Sequence, residues 1–254
     1  MPVPWLLATD IDNTLTGDPD ALRGLAAKLS ELRWDGRLAL FLVTGRRLDQ
    51  VIPGFADEHI PVPDAVISQV GTEVFLPPFA DGSPPLGEWD ALLHRAYSRG
   101  RAESFLEGIA GLAMQPAMFN TPLKVSCYLD GAPDPDAAAQ VIRDRVAAAP
   151  DGAGYQVVWS SGRDLDVIPA AAGKGKAIRF LIDHLGLAPR QVVVAGDSGN
   201  DRTMFDEFGC GVVVANAQPE LAAMRDEESA RDIYFADGRY AAGVAEGLAH
   251  YGLL

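Results

Sequence analysis

Apolar runs alternating with amphipathic segments constrain the fold of this 254-residue chain more than any other feature. Leu38 to Val43 is an unbroken apolar stretch, and Ala65 to Ser68 and Gln191 to Gly196 have the same character. Between them, Asp20 to Arg33 places apolar residues at helical spacing. Strands that are apolar on both faces are typical of parallel sheets covered by helices on both sides. The sequence therefore predicts an α/β fold built on a parallel sheet.

The middle of the chain follows a different pattern. A Pro/Gly-rich stretch containing Pro77-Pro78 is typical of a linker, and one helix is predicted beyond it, over Trp89 to Gly108. Apolar and polar positions then alternate, as in antiparallel strands with one open face. Toward the C-terminus the first pattern returns. We therefore expect a Rossmann-like core formed by residues 1–84 and 169–254, with an α/β cap domain inserted over residues 85–168.

Charge and targeting features exclude several classes of partner. The formal net charge is −14, whereas binding to nucleic acid requires a surplus of Lys and Arg. The N-terminal apolar run has no basic start and is interrupted by Asp10, and no stretch approaches the roughly 20 apolar residues of a membrane span. We expect a soluble, cytoplasmic protein with no nucleic-acid or membrane partner. The oligomeric state stays open.

The strongest local signal is the pair Asp10 and Asp12, directly after the predicted strand Trp5 to Thr9. Parallel sheets bind ligands beyond the carboxyl ends of their strands. An ionised Asp10 can act as a nucleophile. Asp12 can protonate a leaving group and later take a proton from water. The alternative is a solvated turn in which Asn13 and Thr14 cap a helix.

Two further motifs are suited to holding a phosphoryl group. Thr44 and Gly45 follow a strand, where a hydroxyl and free N–H groups can bind phosphoryl oxygens, and Arg46 adds a cation. Lys174 begins a predicted helix and would neutralise both the nucleophile and the transferred group. Spacing does not decide between Lys174 and Lys176, and we favour Lys174 because it lies nearer the helix start. Taken singly, an ordinary turn and a solvated lysine pair are the better interpretations.

An acidic motif follows the strand near residue 195. Asp197, with Asp10 and the chain near Asp12, would form the oxygen-only shell that suits Mg²⁺. Asp201 either belongs to this metal site or caps the following helix. Asn200 is expected to orient the phosphoryl group. The sequence therefore predicts a Mg²⁺ site comprising Asp10, Asp12, Asp197 and Asp201.

Together the four motifs indicate phosphoryl transfer. A phosphomonoester is nearly doubly negative, so an acidic protein must concentrate cations at its site. Mg²⁺, Lys174 and Arg46 would provide them, and phosphoryl transfer mainly requires positioning and charge neutralisation. We predict a Mg²⁺-dependent phosphatase with a transient phosphoryl-aspartate on Asp10. The alternatives are a phospho-accepting signalling domain, in which Asp12 would have no role, and a catalytically inactive sugar-binding protein.

These motifs resemble those of the haloacid dehalogenase superfamily, and the insertion is similar to its type C2 cap. A narrower resemblance, to the sucrose-phosphate phosphatase family with its mannosylfructose-phosphate phosphatase-like members, spans the chain. The segments that carry it are Asp10-Ile11-Asp12-Asn13-Thr14, Gly71-Thr72-Glu73, Ser160-Ser161-Gly162-Arg163-Asp164-Leu165-Asp166, Gly196-Asp197-Ser198-Gly199-Asn200-Asp201 and Asn216-Ala217-Gln218-Pro219-Glu220.

The narrower resemblance implies a substrate that is a disaccharide phosphate, such as sucrose-6-phosphate or mannosylfructose phosphate, held under the cap. The cap residues expected to contact sugar hydroxyls are Lys124, Arg163, Asp164 and Asp166. Their alternative is a solvated, ion-paired sheet face. Arg47 and Lys176 stand where sucrose-specific members usually carry Ser and Asn, which bears on the identity of the sugar. A phosphomutase of the same superfamily would instead retain the phosphoryl group.

Overall fold

A computed structural model describes residues 4–228 and 232–254. The first three residues of the N-terminal segment, for which we predict no targeting signal, lie outside this description, as do residues 229–231 of the second core segment. Within the described ranges, no helix has the length and apolar character needed to cross a membrane.

Strands and helices alternate through most of the chain. The strands are β1 (Trp5–Thr9), β2 (Leu38–Val43), β3 (Ala65–Ser68), β4 (Glu73–Phe75), β5 (Ala113–Met114), β6 (Val125–Tyr128), β7 (Tyr155–Ser160), β8 (Asp164–Pro169), β9 (Gln191–Gly196), β10 (Gly211–Val213) and β11 (Ile233–Phe235). The helices are α1 (Pro19–Trp34), α2 (Leu48–Val51), α3 (Gly54–Asp57), α4 (Gly87–Leu93), α5 (Arg99–Ser104), α6 (Pro135–Ala148), α7 (Lys174–His184), α8 (Arg202–Phe208), α9 (Pro219–Ala222) and α10 (Tyr240–His250).

The strands form two sheets. The larger has the order β11-β10-β9-β1-β2-β3-β4, and its neighbours are parallel except at β3 and β4. The smaller has the order β5-β6-β8-β7 and is antiparallel. The mainly parallel sheet confirms the predicted α/β class. The smaller sheet lies within residues 113–169, and the cap domain over 85–168 stays a prediction.

Two apolar clusters cover opposite faces of the larger sheet. Leu40 and Leu42 of β2 point into one cluster, with leucines of α1 and α10. Phe41 and Val43, which alternate with them, point into the other, with residues of α7 and α8. Successive side chains of a strand face opposite sides, so an unbroken apolar β2 is what a sheet covered on both faces requires.

The structure corrects several local predictions. The predicted helix over Trp89 to Gly108 is two helices, α4 and α5. Between them the Tyr97 hydroxyl donates to the Val167 carbonyl, and the Ser98 N–H donates to the Tyr155 hydroxyl. These tertiary bonds interrupt a continuous helical pattern. The strands β4, β5 and β11 were not predicted; each lies at a sheet edge and has only two or three residues.

Candidate active site

The topology brings three of the predicted motifs to one edge of the sheet. Strand β1 pairs with both β2 and β9, so Asp10, Thr44 and Asp197 follow adjacent strand ends. The Asp10 N–H donates to the Ala195 carbonyl at 2.9 Å, and the Thr44 N–H donates to the Ile67 carbonyl at 2.8 Å. Residues from both ends of the chain thereby meet because parallel strands end at the same edge.

Lys174, the first residue of α7, is the inward lysine. Its ammonium nitrogen lies 2.7 Å from Asp10 Oδ1 and 2.6 Å from Asp201 Oδ1, and its side chain is fully buried. Lys176 is exposed and donates to the Ala170 carbonyl. The structure therefore places Lys174, and not Lys176, beside the predicted nucleophile.

Asp10, Asp197 and Asp201 form a buried acidic cluster, with one carboxylate oxygen of each within 4.8 Å of the others. The other oxygen of Asp201, Oδ2, accepts the backbone N–H groups of Asp197 and Ser198 at 2.9 and 3.0 Å. The Thr14 hydroxyl donates to Asp197 Oδ1 at 3.2 Å. Asp201 is thus the residue that orients the cluster, tying Lys174 to the turn after β9.

The electrostatics of the cluster favour an added cation. Burial raises the pKa of Asp10 well above its usual value, and Asp201 and Asp197 raise it further against the opposing effect of Lys174. Burial and the Asp201 carboxylate likewise raise the pKa of Asp197 to about 7. Burial lowers the pKa of Lys174, but Asp10 and Asp201 outweigh this and hold it above its usual value. One ammonium therefore does not balance three crowded carboxylates.

The acidic cluster fits a Mg²⁺ ion. The donors are carboxylate oxygens, which hard divalent cations prefer. Across residues 4–228 and 232–254, no hydrogen-bond donor reaches Oδ2 of Asp10 or Oδ2 of Asp197. These two oxygens are free to bind a cation, whose charge would offset the burial and the repulsion that raise both pKa values.

Asp12 lies apart from this cluster. Its half-exposed carboxylate accepts hydrogen bonds from Arg46, at 2.7 Å to Nη2 and 3.0–3.1 Å to Nε. Arg46 also contacts Glu58 at 2.6 Å. The prediction that Asp12 belongs to the metal site therefore gains no support from its side chain, because the turn after β1 directs that side chain to Arg46. Arg46 is thus paired with two carboxylates, and its binding to the phosphoryl group stays a prediction.

A cavity of about 200 Å³ lies between the core and the smaller sheet. Gly45 and Asn200 line it from the core side, and the predicted cap residues Lys124, Asp164 and Asp166 line it from the other. Asn200 Oδ1 is buried there with no hydrogen-bond partner among the described residues. Buried polar atoms are usually paired, so an orphaned oxygen facing a cavity indicates a place for a polar ligand.

The cap residues of this cavity form a buried polar network. The Lys124 ammonium is 2.8 Å from Ser126 Oγ and 3.3 Å from Asp166 Oδ1, and Lys124 and Asp166 are only 3% and 6% exposed. Asp164 accepts the side-chain N–H of Gln115 at 3.0 Å. Burial argues against the alternative of a solvated, ion-paired sheet face.

Arg163 is placed differently from its predicted partners. Its guanidinium stacks over the Tyr128 ring, 4.4 Å from the ring centre, and its side chain is half exposed. The structure thus brings Lys124, Asp164 and Asp166 to the cavity but leaves Arg163 outside its lining. A turn residue with left-handed backbone, Ser161, enters the lining in its place.

Sequence reasoning missed several residues around the site. Thr14 and Ser161 lie inside motifs that were quoted for other reasons, so their presence there was the available signal. Glu58, Gln115 and Phe119 lie in segments without a recognisable pattern. Only contacts between distant parts of the chain bring these three to the site.

Comparisons with known proteins agree with this geometry. The family model described as sucrose-6F-phosphate phosphohydrolase matches residues 3–252. Mannosylfructose-phosphate phosphatase of Agrobacterium fabrum is 34% identical over 259 residues, which cover 98% of this chain and 97% of that protein. Sucrose-phosphatase 1 of Nicotiana tabacum is 29% identical, over 98% of this chain and 59% of that protein, so this chain spans about three fifths of the plant enzyme.

Solved structures extend the comparison. Sucrose-phosphatase of Synechocystis sp. PCC6803, solved in complex with sucrose and phosphate, is 31% identical with a TM-score of 0.87 and covers 99% of both chains. A haloacid dehalogenase-like hydrolase of Bacillus subtilis is 18% identical with a TM-score of 0.66, over 100% of this chain and 93% of that one, and shares the fold. The chain therefore belongs to the sucrose-phosphate phosphatase family of the haloacid dehalogenase superfamily, and it is a phosphoric monoester hydrolase.

Proposed function

We propose that this enzyme hydrolyses a disaccharide phosphate in a Mg²⁺-dependent reaction that passes through a phosphoryl-aspartate on Asp10. The observation that supports this most strongly is the contact of Asp10 with Lys174 beside two further carboxylates. A buried, oriented carboxylate next to a fixed cation is suited to attack phosphorus without prior activation by a base.

The residues of the chain would divide the chemistry as follows. An oxygen of Asp10 attacks phosphorus while the bond from phosphorus to the sugar oxygen breaks, and Asp12 gives its proton to that oxygen. Water then attacks the aspartyl phosphate and loses a proton to Asp12, which restores Asp10 and releases phosphate. Lys174 would hold Asp10 throughout, and Thr44 and Asn200 would orient the phosphoryl oxygens. Bound through Asp10 and Asp197, Mg²⁺ would neutralise charge on the transferred group.

The lining of the 200 Å³ cavity supports a sugar phosphate as the substrate. Charged and amide side chains of the inserted segment line this cavity together with Asn200, whose Oδ1 has no partner among the described residues, and sugar hydroxyls can donate to and accept from such groups. Relatives named for phosphorylated disaccharides match 98% of this chain. We therefore propose that Lys124, Asp164 and Asp166 contact the sugar and that the inserted segment covers it.

A phosphate-release screen tests this function. We would compare kcat/KM for sucrose-6-phosphate, mannosylfructose phosphate, a glucosylglycerate phosphate and hexose phosphates, with Mg²⁺ and with EDTA. We expect a disaccharide phosphate to be preferred and EDTA to abolish turnover reversibly. Asp10→Asn should lower kcat by roughly 10³-fold or more and leave the circular dichroism spectrum unchanged.

The contrary outcomes are distinct. Near-wild-type phosphate release by Asp10→Asn rejects Asp10 as the nucleophile. Conversion of the substrate to an isomeric phosphate without release of free phosphate identifies a phosphomutase. A preference for hexose phosphates rejects the proposed substrate class and leaves the phosphoryl-transfer mechanism standing.

A further inference from the structure

The motif Asn216-Ala217-Gln218-Pro219-Glu220 takes no part in the proposed chemistry, yet it contacts two turns of the active site. It follows β10, which is the neighbour of β9 in the larger sheet. Its residues make hydrogen bonds to the turn after β1 and to the turn after β9. Because these turns carry Asp12 and Asp197, the motif joins two parts of the site that come from opposite ends of the chain.

The second half of the motif is fixed to the turn after β9. The Gln218 N–H donates to the Asp197 carbonyl at 2.7 Å. Glu220 Oε1 accepts the Gly199 N–H at 3.3 Å and, from the smaller sheet, the Ser161 N–H at 2.7 Å. These hydrogen bonds give the motif a defined position relative to the acidic cluster.

Asn216 connects this fixed motif to the turn after β1. Its Nδ2 donates to the Asn13 carbonyl at 2.7 Å, and its Oδ1 accepts the Tyr240 N–H at 2.9 Å. The carboxamide therefore donates at one end and accepts at the other, as its chemistry requires. Since Asn13 directly follows Asp12 in the chain, the contact restrains the backbone that carries the proposed acid and base.

The turn after β1 has a backbone conformation that depends on such support. Asn13 has φ of 59°, in the left-handed region. A residue with a Cβ adopts this region at a cost, and the surrounding contacts hold it there. At the other end of the turn, a Cβ placed on Gly17 would lie 2.5 Å from Cδ1 of Tyr240, so the Tyr240 ring packs directly against Gly17. Asn216 and its partner Tyr240 thus brace both ends of the turn.

Arg46 and Asn216 restrain different parts of Asp12. Arg46 donates hydrogen bonds to the carboxylate, whereas Asn216 holds the adjacent backbone. A group that transfers protons must lie within hydrogen-bond distance of the reacting oxygen. A displacement of about 1 Å can lower the rate on the order of 100-fold. The backbone contact is therefore needed in addition to the side-chain contact.

We propose that Asn216 is a positioning residue that fixes Asp12 relative to the acidic cluster by holding the Asn13 carbonyl. This inference rests on the proposed role of Asp12 as acid and base, and it adds a residue that lies 203 positions from Asn13 in the chain. Asn216 acts on turnover through Asp12 and does not touch the reacting atoms.

A double-mutant cycle tests this route. Asn216→Asp keeps the size of the side chain and the acceptor for the Tyr240 N–H, and it removes the donor to the Asn13 carbonyl. We would measure kcat/KM for the sugar phosphate that the wild type prefers, in the wild type, both single variants and the double variant with Asp12→Asn. We expect Asp12→Asn alone to lower kcat/KM about 100-fold or more.

The effect of Asn216→Asp should depend on the presence of Asp12. We expect it to lower kcat/KM roughly tenfold in the wild type and less than about twofold in Asp12→Asn. A residue that only supports the fold would give the same fold loss in both backgrounds, because independent effects add as free energies.

Gln218→Glu is the matched control for the added charge. It lies in the same motif, and the Gln218 side chain makes no hydrogen bond within residues 4–228 and 232–254. It should keep kcat/KM within about twofold of the wild type. If the melting curve shows that Asn216→Asp does not fold, Asn216→Ala, which adds no charge, takes its place in the cycle.

The contrary outcomes are separable. Equal fold losses from Asn216→Asp with and without Asp12, or no loss in the wild type, overturn the inference and leave the proposed function standing. An equal loss in Gln218→Glu assigns the effect to charge and also overturns it. Near-wild-type turnover by Asp12→Asn rejects Asp12 as the acid and base, and the inference falls with that part of the proposed function.

Discussion

Arg46 is held between two carboxylates, and this arrangement gives Glu58 a role that its position in the chain does not suggest. Arg46 donates to Asp12 from Nε and Nη2 and to Glu58 from Nη1 and Nη2. The hydrogen bond to Arg46 lowers the pKa of Glu58, so Glu58 stays ionised at neutral pH. Because the Arg46 guanidinium is hydrogen-bonded to carboxylates on both sides, its orientation is restricted. The guanidinium in turn orients the Asp12 carboxylate. Glu58 is therefore a positioning residue for the proposed acid and base.

We predict that Glu58→Gln lowers kcat/KM for the sugar phosphate by about tenfold, by analogy with other residues that orient catalytic groups. The same variant should change kcat/KM for p-nitrophenyl phosphate by less than about twofold, because that leaving group departs without a proton from Asp12. Parallel phosphate-release assays with the two substrates measure the difference.

Asp57→Asn is the control for this prediction, since Asp57 is exposed, adjacent in sequence and undergoes the same change of charge. It should leave both substrates near wild-type rates. Equal losses on both substrates in Glu58→Gln would show that Glu58 supports the fold of the site and does not act through Asp12.

At the scale of elements, the position of α7 depends on a close backbone contact. Gly71 has φ of +90°, and a Cβ placed on it would lie 2.4 Å from the carbonyl carbon of Gly173, the residue before α7. Neither the backbone angle nor the space permits a side chain. This contact joins the turn after β3 to the start of the helix that carries Lys174.

We predict that Gly71→Ala lowers both stability and kcat. Gly36→Ala is a matched control, because Gly36 has φ of +65° and a Cβ placed on it would have no neighbouring atom within 4 Å. Backbone strain alone should reduce the free energy of unfolding by ~1–2 kcal/mol at Gly36. The steric clash should make the loss at Gly71 larger, and displacement of Lys174 should reduce kcat about tenfold or more. Urea unfolding measures the free energy of unfolding, and steady-state assays measure kcat. Equal effects in Gly71→Ala and Gly36→Ala would contradict the role of the contact between Gly71 and Gly173.

At the scale of the whole molecule, negative charge is concentrated at the acidic cluster, where a bound cation would reduce the repulsion between carboxylates. The formal net charge is −14, and within residues 4–228 and 232–254 Lys174 is the only cation that pairs with the three carboxylates of the acidic cluster. A cation that binds the folded state stabilises it by mass action, by ~2.7 kcal/mol at a concentration 100 times its Kd. If the acidic cluster binds Mg²⁺ as we propose, metal binding and folding would therefore be coupled.

We predict that saturating Mg²⁺ raises the melting temperature by roughly 5–10 °C, as expected for that free energy in a protein of this size. Asp197→Asn should remove most of this shift, whereas Asp183→Asn, an exposed substitution on α7, should keep it. Differential scanning calorimetry with and without Mg²⁺ measures the effect. An undiminished shift in Asp197→Asn would place the cation elsewhere.

Local sequence patterns are enough to predict the framework of the fold and the positions of the acidic motifs along it. The predicted bounds of β1, β2, β3 and β9 agree with the structure because buried parallel strands are unbroken apolar runs, a local signal. Acidic and hydroxyl motifs at strand ends then had to share one edge of the sheet. The proximity of Asp10, Thr44 and Asp197 was predictable for that reason.

The burial and the hydrogen-bond partners of individual side chains depend on the tertiary structure. Lys174 and Lys176 occupy equivalent local contexts, and only packing against α8 and the acidic cluster buries the first. The pairing of Asp12 with Arg46 joins two motifs that lie far apart in the chain, so no local pattern could assign it. Short edge strands bury too little to need an apolar run, and the break between α4 and α5 comes from bonds to distant strands. The spacing of apolar residues indicates which face of an element is buried, whereas the partners of an individual polar side chain depend on contacts between remote segments.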